Sequence, residues 1–124
     1  MNWKKIRLEL ADTRDHPRGS VSRGFLICAP LDKDGTVDRK SLAATPQRAK
    51  VRRFWSSEAD EDGQFLLVNG HWALRCQGKP DRVLPFSKRP FRLGERVDVI
   101  DASGQALPFR VASISGLGQE LLPS

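Results

Sequence analysis

The chain has 124 residues and a formal net charge of +6, so it has the length of one small domain and not of two. Hydrophobic residues make up 39% and charged residues 29%, which excludes an intrinsically disordered or membrane-embedded composition. The longest apolar run, residues 25–29, is far shorter than the ~20 residues of a membrane-spanning helix. The first residues lack the apolar segment of a signal peptide, so we expect a cytoplasmic protein that does not contact a membrane.

Alternation of apolar and polar residues predicts strands in the first half of the chain, at residues 5–10, 21–29 and 50–55. A loop rich in Asp, Pro and Gly separates the first two. We expect four apolar side chains of the second strand to share one face: Val21, Phe25, Ile27 and Ala29.

The segment between the second and third strands predicts the only helix. Asp38 is its expected N-cap, because an aspartate side chain can accept hydrogen bonds from the first helical amides. The helix ends before Pro46. After the third strand, residues 58–63 carry four carboxylates and are interpreted as an acidic turn.

Two apolar runs flank Asn69-Gly70, the dipeptide favoured in type I′ turns, and predict a hairpin over residues 65–76. The two-residue loop sets the register, so Val68 faces His71. The core face of this hairpin is then expected to hold Phe65, Leu67, Trp72, Leu74 and Cys76.

A second hairpin is predicted over residues 96–114, with a connection around Gly104. Its expected register pairs Val97 with Val111, Asp98 with Arg110, and Val99 with Phe109. The linker between the two hairpins, residues 77–93, contains three prolines and can hold only short edge strands. The final residues, 117–124, are expected to be a loose tail after a single β domain over 1–116.

These elements predict an all-β fold: a small antiparallel β-barrel, half-open barrel or sandwich of six to seven short strands with at most one short helix. A barrel is favoured because a single sheet of this size must protect its own edges. Cys28 and Cys76 lie far apart in apolar segments, and we expect both to be buried, reduced thiols.

Several short motifs resemble those of a family of small uncharacterised bacterial proteins: Arg23-Gly24-Phe25-Leu26, Ala29-Pro30-Leu31-Asp32, Val51-Arg52-Arg53-Phe54-Trp55, Gly70-His71-Trp72, Gly94-Glu95 and Pro108-Phe109-Arg110-Val111. The likeness covers roughly residues 4–114 and implies no activity, ligand or catalytic residue. Residues 91–111 are also similar to the strand–turn–strand units of SH3-like small barrels, which implies a barrel fold alone.

Catalytic and metal-binding patterns are weak in this sequence. The two histidines, His16 and His71, do not accompany a nucleophile motif, so we expect solvent-exposed side chains and no catalytic residue. The aspartates near Gly35 lack the glycine position and bidentate glutamate of a calcium loop, and the cysteines lack zinc-ligand spacing. We therefore expect no metal site and no cofactor.

Clustered cations beside aromatic residues are the one pattern that suggests a ligand. The candidate nucleic-acid-binding residues are Arg48, Lys50, Arg52, Arg53, Trp55, Lys88, Arg89 and Arg92. Cations neutralise phosphates, and an exposed aromatic ring can stack on an unpaired base. The alternation along residues 50–55 does not say which face is buried. The alternative is that Phe54 and Trp55 are core residues and the arginines extend to a solvated rim.

Three functions remain open from the sequence. The first is a non-catalytic binding or adaptor module that contacts single-stranded nucleic acid or RNA. The second is a protein-interaction module, a homodimer or a small subunit of a larger complex, in which the same arginines meet an acidic protein surface. The third is an enzyme with a pocket in the barrel mouth that residue spacing does not reveal.

Overall fold

The computed structural model describes residues 3–76, 83–86, 90–101 and 103–116. Over these ranges the chain forms eight strands: β1 Trp3–Leu10, β2 Ser20–Pro30, β3 Lys50–Trp55, β4 Glu58–Val68, β5 His71–Cys76, β6 Val83–Pro85, β7 Arg96–Ile100 and β8 Ala106–Gly116. The helix α1 spans Arg39–Ala44 and is followed by a 3₁₀ turn, Pro46–Arg48.

All eight strands belong to one antiparallel sheet with the order β6-β5-β4-β3-β2-β1-β8-β7. The two edge strands meet through a bridge between Phe86 and Val99, so the sheet is nearly closed into a barrel. The predicted all-β, barrel-like fold is confirmed, with eight strands where six to seven were expected. Closure hides most of the backbone groups that an open edge would expose.

The inner face of the sheet forms the hydrophobic core. Its least exposed large side chains are Ile6, Leu8, Ile27, Phe65, Leu74, Val97, Phe109 and Val111. At one end of the barrel, the helix end, Leu31, Val37 and Leu42 of the β2–β3 connection are also part of the core. The opposite end carries the β3–β4 and β7–β8 turns and is called the open end below.

Two local predictions are confirmed. The Asp38 side chain accepts hydrogen bonds from the backbone amides of Lys40 and Ser41 and caps α1. The hairpin of β4 and β5 has the predicted register, and Asn69 and Gly70 adopt φ values of 50° and 80°, as a type I′ turn requires. Within its predicted core face only Leu67, near the turn, is exposed, at 40%.

The prediction that Val21 shares one face with Phe25, Ile27 and Ala29 is wrong. Val21 is 69% exposed, although Phe25, Ile27 and Ala29 are buried. The β1–β2 register shifts, because Glu9 faces Gly24 whereas Leu10 faces Ser20. Residues 21–23 therefore bulge out of the β1 ladder, and the alternation does not extend across the bulge.

The acidic turn predicted at residues 58–63 is also wrong, because these residues are the start of β4. The turn is the shorter connection before them, where Ser57 has a φ of 70°. Charged residues form a strand here because arginines lie opposite: Arg52 faces Asp62, and Arg53 faces Glu61.

The second hairpin forms, but its predicted register is wrong by two residues. Val97 faces Phe109 and Val99 faces Leu107, so the predicted pair of Asp98 and Arg110 does not form. The cause is a tight connection between β7 and β8, in which the Asp101 carboxylate accepts hydrogen bonds from the Ser103 and Gln105 amides. A shift of two residues preserves the faces, so the predicted core residues are still buried.

The remaining predictions concern the thiols, the linker and the tail. Both cysteines are reduced, with Cys76 buried as predicted, but Cys28 is only half-buried because it lies on the outer face of β2. Of the proline-containing linker, the described part holds the short edge strand β6. The predicted tail, residues 117–124, lies outside the described residues.

Candidate functional site

Strand alternation divides the predicted basic–aromatic residues between two surfaces of the barrel. Val51 is 4% exposed and lies in the core, which fixes the inner face of β3. Arg53 and Trp55 share that face, and Trp55 packs against the core at the open end. Lys50 and Arg52 point outward. Because neighbouring residues of a strand face opposite sides, the candidate residues of β3 lie on two surfaces, as the alternation along residues 50–55 indicates.

The outward residues of three neighbouring strands together form what we call the outer basic face. It consists of the cations Lys5, Arg7, Lys50 and Arg52 around the apolar side chains Leu26, Cys28 and Phe54. The sheet register aligns them, because Arg7 faces Leu26 and Leu26 in turn faces Arg52. Over part of this face lies a groove of about 500 Å³, lined by Lys5, Leu26, Cys28, Lys50 and Arg52 among others.

The aromatic ring of this face is Phe54, and an arginine covers it. The Arg7 guanidinium lies 4.4 Å from the ring centroid. Arg7 Nε also donates to Glu9 Oε2 at 2.8 Å, and its Nη2 donates to the Val21 carbonyl at 2.8 Å. The guanidinium plane is therefore held in place over the ring.

Arg52 and Lys50 are the exposed cations of β3, with different partners. Arg52 Nε donates to Asp62 Oδ1 at 3.0 Å, and this hydrogen bond raises the pKa of Arg52 above its ordinary value. Both side chains of the pair are more than half exposed, so a competing anion can replace the carboxylate at little free-energy cost. Lys50 forms no ion pair with any described residue and is exposed.

Arg53 and Trp55 are engaged inside the open end of the barrel. The Arg53 guanidinium lies 4.5 Å from the Trp55 ring centroid. Its Nη1 donates to Glu58 Oε1 at 3.1 Å and to Glu61 Oε2 at 3.5 Å, and only 15% of the Arg53 side chain is exposed. The two carboxylates neutralise the charge of Arg53, so Arg53 is not available to a phosphate on the outer face.

Trp55 and Leu107 stand between two pockets at the open end. The first, the mouth pocket, has a volume of about 420 Å³ and is lined by Phe25, Arg53, Trp55, Leu84, Val99, Asp101, Ser103, Leu107 and Phe109. The second, of about 820 Å³, lies under the loop that follows β1 and includes His16. The sequence suggested a mouth pocket in general terms but assigned no residue to it.

The other predicted residues lie elsewhere. The Arg48 guanidinium lies 4.6 Å from the ring centroid of Trp3, and Arg92 Nε donates to the Asp34 carbonyl at 2.8 Å. Neither residue joins the outer basic face. Lys88 and Arg89 lie outside the described residues.

Lys5 and Arg7 were missed as candidates. They lie at alternating positions of β1, a strand recognised from the sequence. Their place beside β3 residues depends on the order β3-β2-β1, which the residue pattern does not contain.

Within the part of the chain that the structure describes, no three His, Cys, Asp or Glu side chains gather as a metal site, and no helix is long and apolar enough to cross a membrane. Comparison with protein-family models, with curated proteins and with solved structures found no match to this chain.

Proposed function

We propose that this protein is a non-catalytic β-barrel that binds single-stranded nucleic acid through its outer basic face. The observation that carries the proposal is the arrangement of Lys5, Arg7, Lys50 and Arg52 around Phe54 and its apolar neighbours, across three adjacent strands. Cations around an apolar centre suit a flexible strand, because phosphates meet the cations while unpaired bases lie on the centre.

Each part of this face has a role in the proposed complex. Lys50 and Arg52 supply charge for the phosphates, and Arg52 exchanges Asp62 for a phosphate oxygen. The guanidinium plane of Arg7, held over Phe54, offers a flat surface on which a base can stack. In double-stranded nucleic acid the base faces are stacked on one another, so a duplex is expected to contact only the cations of this face, through its phosphates.

The test is fluorescence anisotropy of labelled single-stranded RNA and DNA, titrated with the protein at about 50 and 200 mM salt. The label belongs on the oligonucleotide, since all three tryptophans, Trp3, Trp55 and Trp72, lie in the hydrophobic core or pack against it. The variant Lys50→Ala/Arg52→Ala removes two cations from that face. A matched control, Arg92→Ala/Arg96→Ala, removes two exposed cations from outside it.

The variant on the face is expected to weaken binding and to reduce the slope of log K against log salt by about 1.4, for two lost phosphate contacts with a single strand. The control is expected to retain the original slope. Equal losses of affinity in both variants would mean that only net charge matters. If the original chain shows no saturable binding, the proposal is overturned.

An acidic protein surface is a second candidate partner. One observation favours it: Arg52 already holds a carboxylate, and a partner's Asp or Glu can replace Asp62 with the same geometry. Poly-glutamate as a competitor separates the two proposals. Displacement of the oligonucleotide by poly-glutamate at equal charge concentration favours the protein partner, because a simple polyanion cannot stack on Arg7.

A further inference from the structure

The mouth pocket has the form of a ligand site and is separate from the outer basic face. Its floor is made of Phe25, Val99 and Phe109, each at most 2% exposed, and Trp55, Leu84 and Leu107 also line it. Small-molecule sites have volumes of roughly 300–1,000 Å³, mostly apolar walls and a few placed polar groups, and the mouth of a barrel is a common place for them. The volume here, about 420 Å³, lies in that range.

The aromatic wall of the pocket is held in position. The Trp55 ring meets Phe109 edge-on, with ring centroids 6.5 Å apart, and Arg53 lies against the indole at 4.5 Å. Arg53 is fixed in turn by Glu58 and Glu61. The wall therefore stays in place without a ligand, and the Arg53 charge is already matched by carboxylates.

The other charged group that lines the pocket, Asp101, is arranged differently. Its Oδ1 accepts three hydrogen bonds, from the Ser103 amide at 2.9 Å, the Ser103 hydroxyl at 2.6 Å and the Gln105 amide at 2.9 Å. These bonds lower the pKa of Asp101 below its ordinary value and keep the carboxylate ionised at neutral pH. Its Oδ2 accepts no hydrogen bond from the described residues, and no cation among them lies within ion-pair distance.

We propose that the mouth pocket binds a small organic cation, an ammonium group carried on an apolar body. The ammonium group meets Asp101 Oδ2, and the apolar body lies on Phe25, Val99 and Phe109 beside the Trp55 indole. Charge complementarity selects this occupant, because a neutral molecule leaves Asp101 without a counter-ion and an anion is repelled by it.

The test compares three probes of one shape and different charge: phenethylammonium, 2-phenylethanol and phenylacetate. Binding is followed by chemical-shift changes of the Trp55 indole N–H and the backbone amides of Ser103 and Leu107. We expect phenethylammonium to bind best, at least about tenfold more tightly than the alcohol, which is the size of one charge-assisted contact. Phenylacetate is expected not to bind.

The variant Asp101→Asn removes the charge and keeps an oxygen that can accept the turn hydrogen bonds. It is expected to reduce the preference for phenethylammonium over the alcohol to within about twofold. Asp34→Asn, an exposed carboxylate change away from the pocket, is the matched control and is expected to leave that preference unchanged. Trp55→Leu keeps the floor of the pocket and is expected to weaken the binding of all three probes.

Three results would overturn the proposal: equal or better binding of the alcohol or of phenylacetate, a preference that survives Asp101→Asn, or no binding of any probe at about 10 mM. The mouth pocket and the outer basic face are separate sites, so these results do not test oligonucleotide binding. Lys50→Ala/Arg52→Ala is accordingly expected to leave the affinity for phenethylammonium unchanged.

Discussion

Arg53 and Trp55 lie two residues apart on β3, and the guanidinium of one covers the indole of the other at 4.5 Å inside the open end of the barrel. The same arginine also holds Glu58 and Glu61. One side chain therefore connects the aromatic wall of the mouth pocket to the first residues of β4.

This position predicts a large difference between two adjacent arginines. Arg53→Met removes the ion pairs with Glu58 and with Glu61, which is 22% exposed, and also removes the contact with Trp55. We expect a loss of about 1–3 kcal/mol in the free energy of unfolding, measured by urea denaturation. Arg52→Met breaks an exposed pair and is expected to change the urea midpoint little. Equal losses in the two variants would contradict the burial of Arg53.

A glycine of β2 predicts a second effect on stability. A methyl group at Gly24 would lie 1.8 Å from the Leu8 carbonyl oxygen and 2.9 Å from Phe54 Cζ. Because the first contact is with backbone, the strands must move apart, and we expect Gly24→Ala to destabilise the fold by about 1–3 kcal/mol. Gly116→Ala, where the methyl group meets nothing within 4 Å, is the control. A thermal melt that places the two variants at the same Tm would show that β1 and β2 are not packed this closely.

The hydrogen bonds of Asp101 predict a dependence of stability on pH. They hold its pKa in the folded chain below the ordinary value of 3.8, so the folded state binds this proton less tightly than the unfolded state. The stabilisation is fully present above pH 3.8 and is lost as the pH falls through the lower, folded pKa. Asp101→Asn removes this titration, and its unfolding free energy is expected to fall less than that of the original chain between about pH 4 and pH 2. Parallel pH curves for the two proteins would exclude the effect.

The stack of Arg7 on Phe54 predicts that charge alone is insufficient for the proposed nucleic-acid binding. Arg7→Lys keeps the cation and loses the flat guanidinium surface. We expect oligonucleotide affinity to fall by about 3–10-fold while the salt dependence stays the same. Anisotropy titrations at two salt concentrations measure both quantities. Unchanged affinity would assign Arg7 a purely electrostatic role.

The register of a hairpin could be predicted from the sequence where the residues of its turn permit only one geometry. Asn69-Gly70 set the register of β4 and β5 correctly, because a type I′ loop permits one pairing. The register of β7 and β8 could not be derived in the same way. There the Asp101 side chain closes the turn early, and a two-residue shift leaves the same side chains in the core.

The candidate surfaces were harder to predict, because they depend on which strands are neighbours. The position of Val51 in the core decides that Arg53 and Trp55 face inward, and alternation alone left that open. Lys5 and Arg7 join Arg52 only because β2 lies between β1 and β3. Residues 58–63 were interpreted as a turn from their charges, whereas the arginines of β3 allow them to form a strand.

The bridge between Phe86 and Val99 also connects the closure of the barrel to the mouth pocket. Leu84 on β6 and Val99 on β7 both line that pocket, one on each side of the seam between the first and last strands of the sheet. A molecule bound there contacts both edge strands and holds them together from inside the barrel. Ligand binding and contact between β6 and β7 are then coupled equilibria: a bound ligand stabilises the closed barrel, and the closed barrel binds the ligand more tightly.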